Sequence, residues 1–543
     1  MKAEVDSKTS APSDFRVLVI GIDACDPTVV SRLVKEGKLP NFAKMMQKGV
    51  TGDLFAKIPV TAPSWSTIYT GKNSGKHGIY SPLYQRPGTY DVGIIHSGLR
   101  MSQDLWEVAA AKGVACYVVN TPATYPPRPF NGKLVVGHYA PEGTSNYCYP
   151  PEIAEEVMNV LGKFQVYPAQ RYSEAAKLLE FRDALARTMA LTEHMMDKND
   201  WRLTFVVFRE VDEAQHIFIE KPETLSLVYG WMDTFIGRLL DKVDDKTFVM
   251  VVSDHGACPI RQRIDVVSPL IRSGMLKLTP VGKQSRRVKM IRAGLVALAR
   301  LRITKLFDFP PLRKLSTMVR RRVMGLHVST ARSISTLVDW DHTLAYPYLT
   351  MGYRVNLKGR EPKGVVDPAD YDKVVARLVG ILKEMKDAET GKPIHKFILP
   401  GKEAFNGPCL DDSPDVYGLP LDGYWPYVWQ STVETLMTPT LTWKGAHASS
   451  GVFILNGPGV RQGIRLPEVT NEDVAPMALY LLGVPIPEDM DGKVRKEGLS
   501  PSLIEELPIL RSAGSGLKGV GTGITKEEEN LIEENLRKLG YLD

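Results

Sequence analysis

The stretch Phe248-Val249-Met250-Val251-Val252-Ser253-Asp254-His255-Gly256 decides the fold. A short apolar run bounded by polar residues and glycine reads as a buried strand. This one ends on a carboxylate and an imidazole. Three other stretches repeat the arrangement. Val17-Leu18-Val19-Ile20 leads to Ile22-Asp23, and Phe205-Val206-Val207-Phe208 leads to Asp212 and His216. Gly445-Ala446-His447 lies just before the apolar run Gly451-Val452-Phe453-Ile454-Leu455. In an open α/β sheet, ligands bind outside the carboxyl ends of the strands. Residues from four strand ends can therefore meet in one crevice, and the chain reads as a metal-dependent enzyme.

Outward from these strings, strand patterns at 16–22, 114–120, 203–208 and 247–252 alternate with helical patterns at 27–48, 106–112, 173–197 and 224–243. Such alternation predicts an α/β fold, a mostly parallel central sheet sandwiched by helices. The rhythm holds over residues 15–260 and returns over 442–500, which together make the expected core. Residues 261–341 break it. They are basic, helical in propensity and interrupted by Pro310-Pro311, and are expected to form an inserted helical cap. Residues 342–441 carry a strand pair near Tyr346 and Arg354 and an amphipathic helix over 371–386, a small α+β excursion. In the last part, 501–543, Thr525 and Glu528 form a capping box, Ile532, Leu536 and Leu539 give one apolar face, and Gly540 stands where a C-cap glycine belongs.

Bulk properties bound the rest. Of the 543 residues, 43% are hydrophobic and 24% charged, which excludes global disorder. No apolar run approaches the roughly 20 residues that span a bilayer. The polar segment 1–14 lacks the apolar stretch of a secretory signal and reads as a flexible tail. Five widely spaced cysteines with no C-x-x-C pair predict free thiols and a cytoplasmic location. The net charge is +6, but residues 277–332 hold fifteen Lys and Arg against one acid, Asp308. That segment is +14 and the remainder −8, an asymmetry that signals a partner.

Taken singly, each candidate site residue has a structural alternative. Asp254 and His255 are adjacent, and strand neighbours point to opposite faces. Both can hold one ion only if the chain leaves strand geometry, a freedom assigned to Gly256; otherwise they are a polar loop. Asp212 and His216 share a helical face at i,i+4, as metal pairs and surface ion pairs both do. His447 lies among small residues in Trp-Lys-Gly-Ala-His-Ala-Ser-Ser-Gly, as a ligand or a structural imidazole. Asp23 follows a buried strand and must be paired or bind a cation, whereas Asp26 fits the N-cap of a helix starting at Pro27. Thr61, in Ile58-Pro-Val-Thr61-Ala-Pro63-Ser, sits before a helix-like stretch as an N-cap or as a hydroxyl near the positive end of the dipole. Combined, Asp212, His216 and His447 make one site, and Asp23, Asp254, His255 and Thr61 a second. Oxygen and nitrogen ligands without thiolate suit two divalent ions, zinc first and manganese second. Such a pair clamps a phosphoryl group and makes a coordinated threonine a usable nucleophile.

The order Asp, Thr, Asp-x-x-x-His, Asp-His, His resembles the alkaline phosphatase superfamily, and within it the type I phosphodiesterase/nucleotide pyrophosphatase branch. Val60-Thr61-Ala62-Pro63-Ser64, Thr70-Gly71 and Lys76-His77-Gly78-Ile79 resemble that branch's nucleophile loop. Gly457-Pro458-Gly459-Val460, Asp473-Val474-Ala475-Pro476 and Pro487-Glu488-Asp489-Met490-Asp491-Gly492 add to the likeness. The resemblance implies that Thr61 attacks phosphorus, that Asp23, Asp254 and His255 hold the ion activating it, and that Asp212, His216 and His447 hold the ion activating water. It implies a small anionic phosphoester substrate. Phosphodiester or pyrophosphate comes first, phosphomonoester or phosphonate second. Sulfatases carry Cys or Ser followed by x-Pro-x-Arg, and Thr61-Ala-Pro-Ser64 lacks both the cysteine and the arginine. Nucleotide pyrophosphatases carry an asparagine five residues after the His of the His-Gly-Ile string; here that position is Pro82, and Asn73 is nearby but out of pattern. His77 is expected to be structural.

The basic stretch 277–332 has three readings: a cap over an anionic substrate's approach, a basic amphipathic helix on an anionic membrane surface, or a solvated face. Arg286-Arg287, Arg320-Arg321-Arg322 and the apolar line Ile291, Leu295, Leu298 and Ile303 carry them. Its charge alone could attract nucleic acid, but no motif points to sequence-specific recognition. The rival to an enzyme is a non-catalytic membrane-surface protein retaining the fold. Oligomeric state is not legible.

Overall fold

The strand Arg16–Ile22 has apolar residues on both faces because it is covered on both. It pairs in parallel with Leu203–Phe208 on one side and Thr247–Val252 on the other. The computed structural model describes residues 13–167, 173–279, 337–387, 389–427, 443–514 and 523–539. Among them a ten-stranded sheet runs in the order Ile464–Arg465, Val50–Phe55, Ser450–Asn456, Thr247–Val252, Arg16–Ile22, Leu203–Phe208, Cys116–Thr121, Lys133–Val136, Cys148–Tyr149, with Val469–Thr470 also on Val50–Phe55. The central pairings are parallel; Ser450–Asn456 is antiparallel to both neighbours. The fold is therefore α/β with a largely parallel central sheet. Two groups of helices pack among themselves and on the strands. One contains Pro40–Lys48, Glu174–Met196 and Pro222–Leu240, the other Thr61–Thr70, Leu105–Ala110 and Val474–Leu481.

The helix expected over 27–48 is two helices, Pro27–Lys35 and Pro40–Lys48. Gly37 at φ 72° ends the first and Pro40 opens the second. Asp26 caps the first, accepting from Thr28 and Val29 N–H. The C-terminal helix Lys526–Leu539 carries its capping box: Thr525 N–H donates to Glu528 Oε2 at 2.7 Å, and Glu528 N–H to Thr525 Oγ1 at 3.2 Å.

A second, smaller core lies over a four-stranded antiparallel sheet ordered Ala345–Tyr348, Gly352–Val355, Val416–Pro420, His395–Pro400, with helix Tyr371–Lys383 presenting Val374, Val375, Leu378 and Leu382. The described ends of 261–341 belong to this core. They supply Ile264 from a strand at Gln262–Asp265, Leu270 from a helix at Ser268–Arg272, and Met275, Leu276, Val338 and Trp340 from beyond them. Residues 280–336, with the arginine pairs and apolar line of the expected cap and most of the membrane reading, lie outside the described residues, as do Gly540 and residues 1–12. Ser13 is tied down, its N–H donating to Leu482 O at 3.1 Å. No described helix is long and apolar enough to cross a membrane.

Candidate active site

Each site residue is placed by the end of a regular element. Asp23 follows Arg16–Ile22, where Ala24, at φ 54°, turns the chain and donates its N–H to Asp254 Oδ1 at 3.3 Å. Beyond Thr247–Val252 the chain breaks, and Gly256–Pro259 starts a second ladder, antiparallel to Gly445–Ala448 with Ala257 opposite His447. That ladder carries His447 to the Asp254-His255 turn. Gly256 is needed for closeness rather than conformational freedom: a Cβ there would lie 2.1 Å from the Ser450 carbonyl oxygen, and its φ is not left-handed. Asp212 and His216 sit one turn apart on helix Glu210–Phe218, with His216 Nε2 3.2 Å from Asp212 Oδ1.

All seven predicted residues are buried, and the six carboxylate and imidazole side chains meet. Two groups of three have ligand atoms within 4.8 Å of one another: Asp23, Asp254 and His255, and Asp212, His255 and His447. His255 reaches both, which the sequence-based partition did not foresee. Its Nε2 lies 3.3 Å from Asp254 Oδ2 and 3.6 Å from Asp23 Oδ1. Its ring stacks on His447 with centroids 3.9 Å apart. His447 Nε2 is 3.5 Å from Asp212 Oδ1.

The imidazoles share one orientation. Nδ1 of His255 faces Gly256 O at 3.0 Å, Nδ1 of His216 faces Gly445 O at 2.9 Å, and Nδ1 of His447 faces Pro59 O at 2.8 Å. A carbonyl can only accept, so each Nδ1 carries hydrogen, and each ring, when neutral, presents its Nε2 lone pair to the cluster. His216 Nε2 and His447 Nε2 are 3.1 Å apart. Two lone pairs at that distance repel unless a shared proton or a cation lies between. Asp23 Oδ1, Thr61 Oγ1, Asp254 Oδ2 and His255 Nε2 are buried without hydrogen-bond partners. Convergent, unsatisfied oxygen and nitrogen donors of this kind fit divalent cations.

Electrostatics agree. Burial first, then Asp212, pushes Asp23 well above the usual carboxylate range; burial, then Asp23 and Asp212, does the same to Asp254. Burial would also raise Asp212, but His216 and His447 outweigh it and hold it well below. Burial pushes the His255 and His447 imidazoles down from their ordinary range. Without added positive charge the pocket retains protons on carboxylates that cations would displace.

Thr61 is the first residue of helix Thr61–Thr70. Val60 is the N-cap, so the threonine is not a cap and its hydroxyl is left over. Its neighbours on both sides touch the cluster: Pro59 O accepts from His447, and Trp65 Nε1, one turn along the same helical face, donates to Asp23 Oδ2 at 3.1 Å. Asn73 is fully engaged in the fold, donating to Asp491 Oδ2 at 2.8 Å and accepting from Gly75 N–H at 2.8 Å. His77 is structural: Nδ1 accepts from Ile79 N–H at 3.1 Å and Nε2 contacts Thr67 Oγ1 at 3.0 Å.

Sequence reasoning missed the supporting residues. Ser253 Oγ accepts from Cys25 N–H at 2.8 Å and donates to His255 O at 2.6 Å. Asn471 Nδ2 donates to Asp254 O at 2.9 Å. Trp443 stacks on His216 at 3.6 Å, and Trp425 stands edge-on to His447 at 5.4 Å. Trp443 was in view four residues before His447; Asn471 carried no signal.

Two solved structures of one enzyme support the architecture. Phosphonoacetate hydrolase from Sinorhizobium meliloti 1021, in complex with phosphonoformate, superposes with TM-score 0.54 at 14% identity, over 87% of this chain and 96% of that one. Its complex with phosphonoacetate gives 0.53 at 15% identity, over 87% and 96%. A murine ectonucleotide pyrophosphatase/phosphodiesterase 5 gives 0.48 at 14% identity, over 89% and 100%. The family model for type I phosphodiesterase/nucleotide pyrophosphatase matches residues 17–447, from the first strand to the last histidine of the cluster. The chain therefore belongs to the type I phosphodiesterase/nucleotide pyrophosphatase family.

Proposed function

We propose that this protein is a two-metal phosphoester hydrolase acting on phosphodiester or pyrophosphate bonds through a phosphothreonine at Thr61. The observation that carries the proposal is the set of buried, unsatisfied donors, Asp23 Oδ1, Thr61 Oγ1, Asp254 Oδ2 and His255 Nε2, beside two facing Nε2 lone pairs. Asp23, Asp254, His255 and Thr61 would hold one divalent ion, and Asp212, His216 and His447 the other, with His255 between them. When bound, the ions supply charge neutralisation at the phosphoryl group and acidify the attacking hydroxyl and water.

The chain's own residues do the rest. Thr61 Oγ forms a bond to phosphorus as the bond to the leaving-group oxygen breaks. The N-terminal end of helix Thr61–Thr70 favours the negative charge of the phosphoryl group. The proton Thr61 gives up on attack balances the one taken up by the leaving-group oxygen; water then attacks phosphorus and gives up a proton, the Thr61–phosphorus bond breaks, and the threonine oxygen takes up a proton in turn. Gly445, Pro59 and Gly256 carbonyls keep the three imidazoles in the tautomer with Nε2 inward throughout. Trp65 holds Asp23 in place.

Two measurements test this. Elemental analysis of protein purified without added metal should find about two equivalents of zinc or manganese. Wild-type protein should hydrolyse bis-p-nitrophenyl phosphate faster than p-nitrophenyl phosphate, and Thr61→Ala should lose turnover of both while keeping metal. Full activity in Thr61→Ala would overturn the mechanism.

A further inference from the structure

Near the ends of three strands of the central sheet the backbone is left-handed: Ala24 at φ 54°, Asn120 at φ 56° and Tyr139 at φ 74°. Asparagine visits that region readily; a bulky aromatic residue does not. Tyr139, three residues past Lys133–Val136, keeps such a backbone only because its surroundings dictate it, and positions of this kind gather at active sites. Its ring belongs to the apolar cluster that includes Ala62, the residue after Thr61, with Tyr167, Ile532 and Leu536. The His138 ring stands edge-on to it with centroids 4.4 Å apart.

This packing fixes the ring but leaves its polar end unsatisfied. Tyr139 is 1% exposed, and its hydroxyl has no hydrogen-bond partner. A buried hydroxyl in that state destabilises the fold unless a ligand satisfies it. The charged groups close enough to act on it are Asp23 and Asp212, one from each ion's ligand set, and Arg209. A tyrosine phenol is protonated at neutral pH, and burial pushes this one further up, so it is able to donate.

We propose that the Tyr139 hydroxyl is a catalytic hydrogen-bond donor to a non-bridging phosphoryl oxygen of the substrate as Thr61 attacks. The assignment rests on the two-metal hydrolase reading above. A fixed, neutral donor that meets charge as it grows stabilises the transition state more than the bound ester, because it needs no reorganisation. The contact selects for a tetrahedral phosphorus centre with a free anionic oxygen and is indifferent to the leaving group.

The test uses full-length, metal-loaded Tyr139→Phe beside wild type and Thr61→Ala. Metal content, Tm, kcat and KM for both nitrophenyl esters, and inhibition by inorganic phosphate are measured. Tyr139→Phe should keep its metal, match or exceed the wild-type Tm because an unsatisfied buried hydroxyl is removed, lose about 100-fold in kcat on both esters with a smaller change in KM, and bind inorganic phosphate more weakly. Wild-type kcat in Tyr139→Phe overturns the proposal. So does loss of metal in step with activity, which would make the phenol a support for the ligands rather than a contact to substrate. If wild type is active and Thr61→Ala is not, while Tyr139→Phe matches wild type, only the tyrosine assignment fails. If wild type hydrolyses neither ester and holds no metal, the hydrolase reading fails and takes this one with it.

Discussion

Replacing Trp65 with Phe tests the metal centre without touching a ligand. Trp65 is fully buried, and its Nε1 donates to Asp23 Oδ2 at 3.1 Å. In metal-free protein Asp23 holds its proton well above the usual carboxylate range, because it is buried and faces Asp212. The lost bond is then one between neutral groups, worth about 0.5–1.5 kcal/mol. With an ion bound, Asp23 must be ionised, and the same bond is charge-assisted, worth about 1.5–3 kcal/mol. The packing lost when an indole becomes a phenyl ring weakens both states alike and cancels. The difference, about 1–1.5 kcal/mol, appears as weaker metal binding by about five- to thirteenfold at 1.36 kcal/mol per decade. Competition against a chelator of known affinity measures it, with Tm recorded for metal-free and metal-loaded protein. Tm should fall in both forms, and further in the loaded one. Equal losses with unchanged metal affinity would show that Asp23 does not bind the ion through an ionised carboxylate, and the ligand assignment would fall.

Two further outcomes follow from the same electrostatics. Burial, then Arg100 and Lys72, lowers His77 from 6.5 to about 3, so the folded state keeps it neutral while the unfolded chain takes up a proton below about 6.5. Stability is thus lost as pH falls from about 6.5 toward 3, by about 2 kcal/mol at pH 5; His77→Gln should narrow the Tm difference between pH 7 and pH 5 relative to wild type, and parallel losses would refute the assignment. Asp23 and Asp254 are raised in the folded, metal-free state, so their contribution is present at low pH and lost as pH rises through the raised values. Chelator should therefore lower Tm more at pH 8 than at pH 5.5, and an equal drop at both would argue against ions replacing protons there.

The central strands were legible because a parallel strand covered on both faces must be apolar throughout, as Leu203–Phe208 and Thr247–Val252 are. Their ends were legible for the complementary reason that carboxylates and imidazoles have no structural use at a buried terminus without a partner. Local chemistry also marked Asp26 and the Thr525–Glu528 box, since caps act within a few residues. The strand Val50–Phe55 was not legible. It contains Thr, Gly and Asp, and its pairing depends on Ser450–Asn456, some four hundred residues away. Gly52 is there because Val469 would lie 2.9 Å from any Cβ, a constraint visible only after folding.

The division of ligands between the two ions belongs to the same class of information. Residue types and strand ends identify six side chains with lone pairs, but not which atom faces which ion. That is set by the carbonyls that hold each Nδ1. Gly256 is adjacent to its histidine, whereas Gly445 lies 229 residues from His216 and Pro59 lies 388 residues from His447. The His447 bond crosses from the last ladder to the loop that leads into the Thr61 helix, so one contact orients a metal ligand and positions the approach to the nucleophile. A ligand set read from sequence gives the chemistry of such a centre; its geometry comes from backbone oxygens, whose identity no side chain reveals.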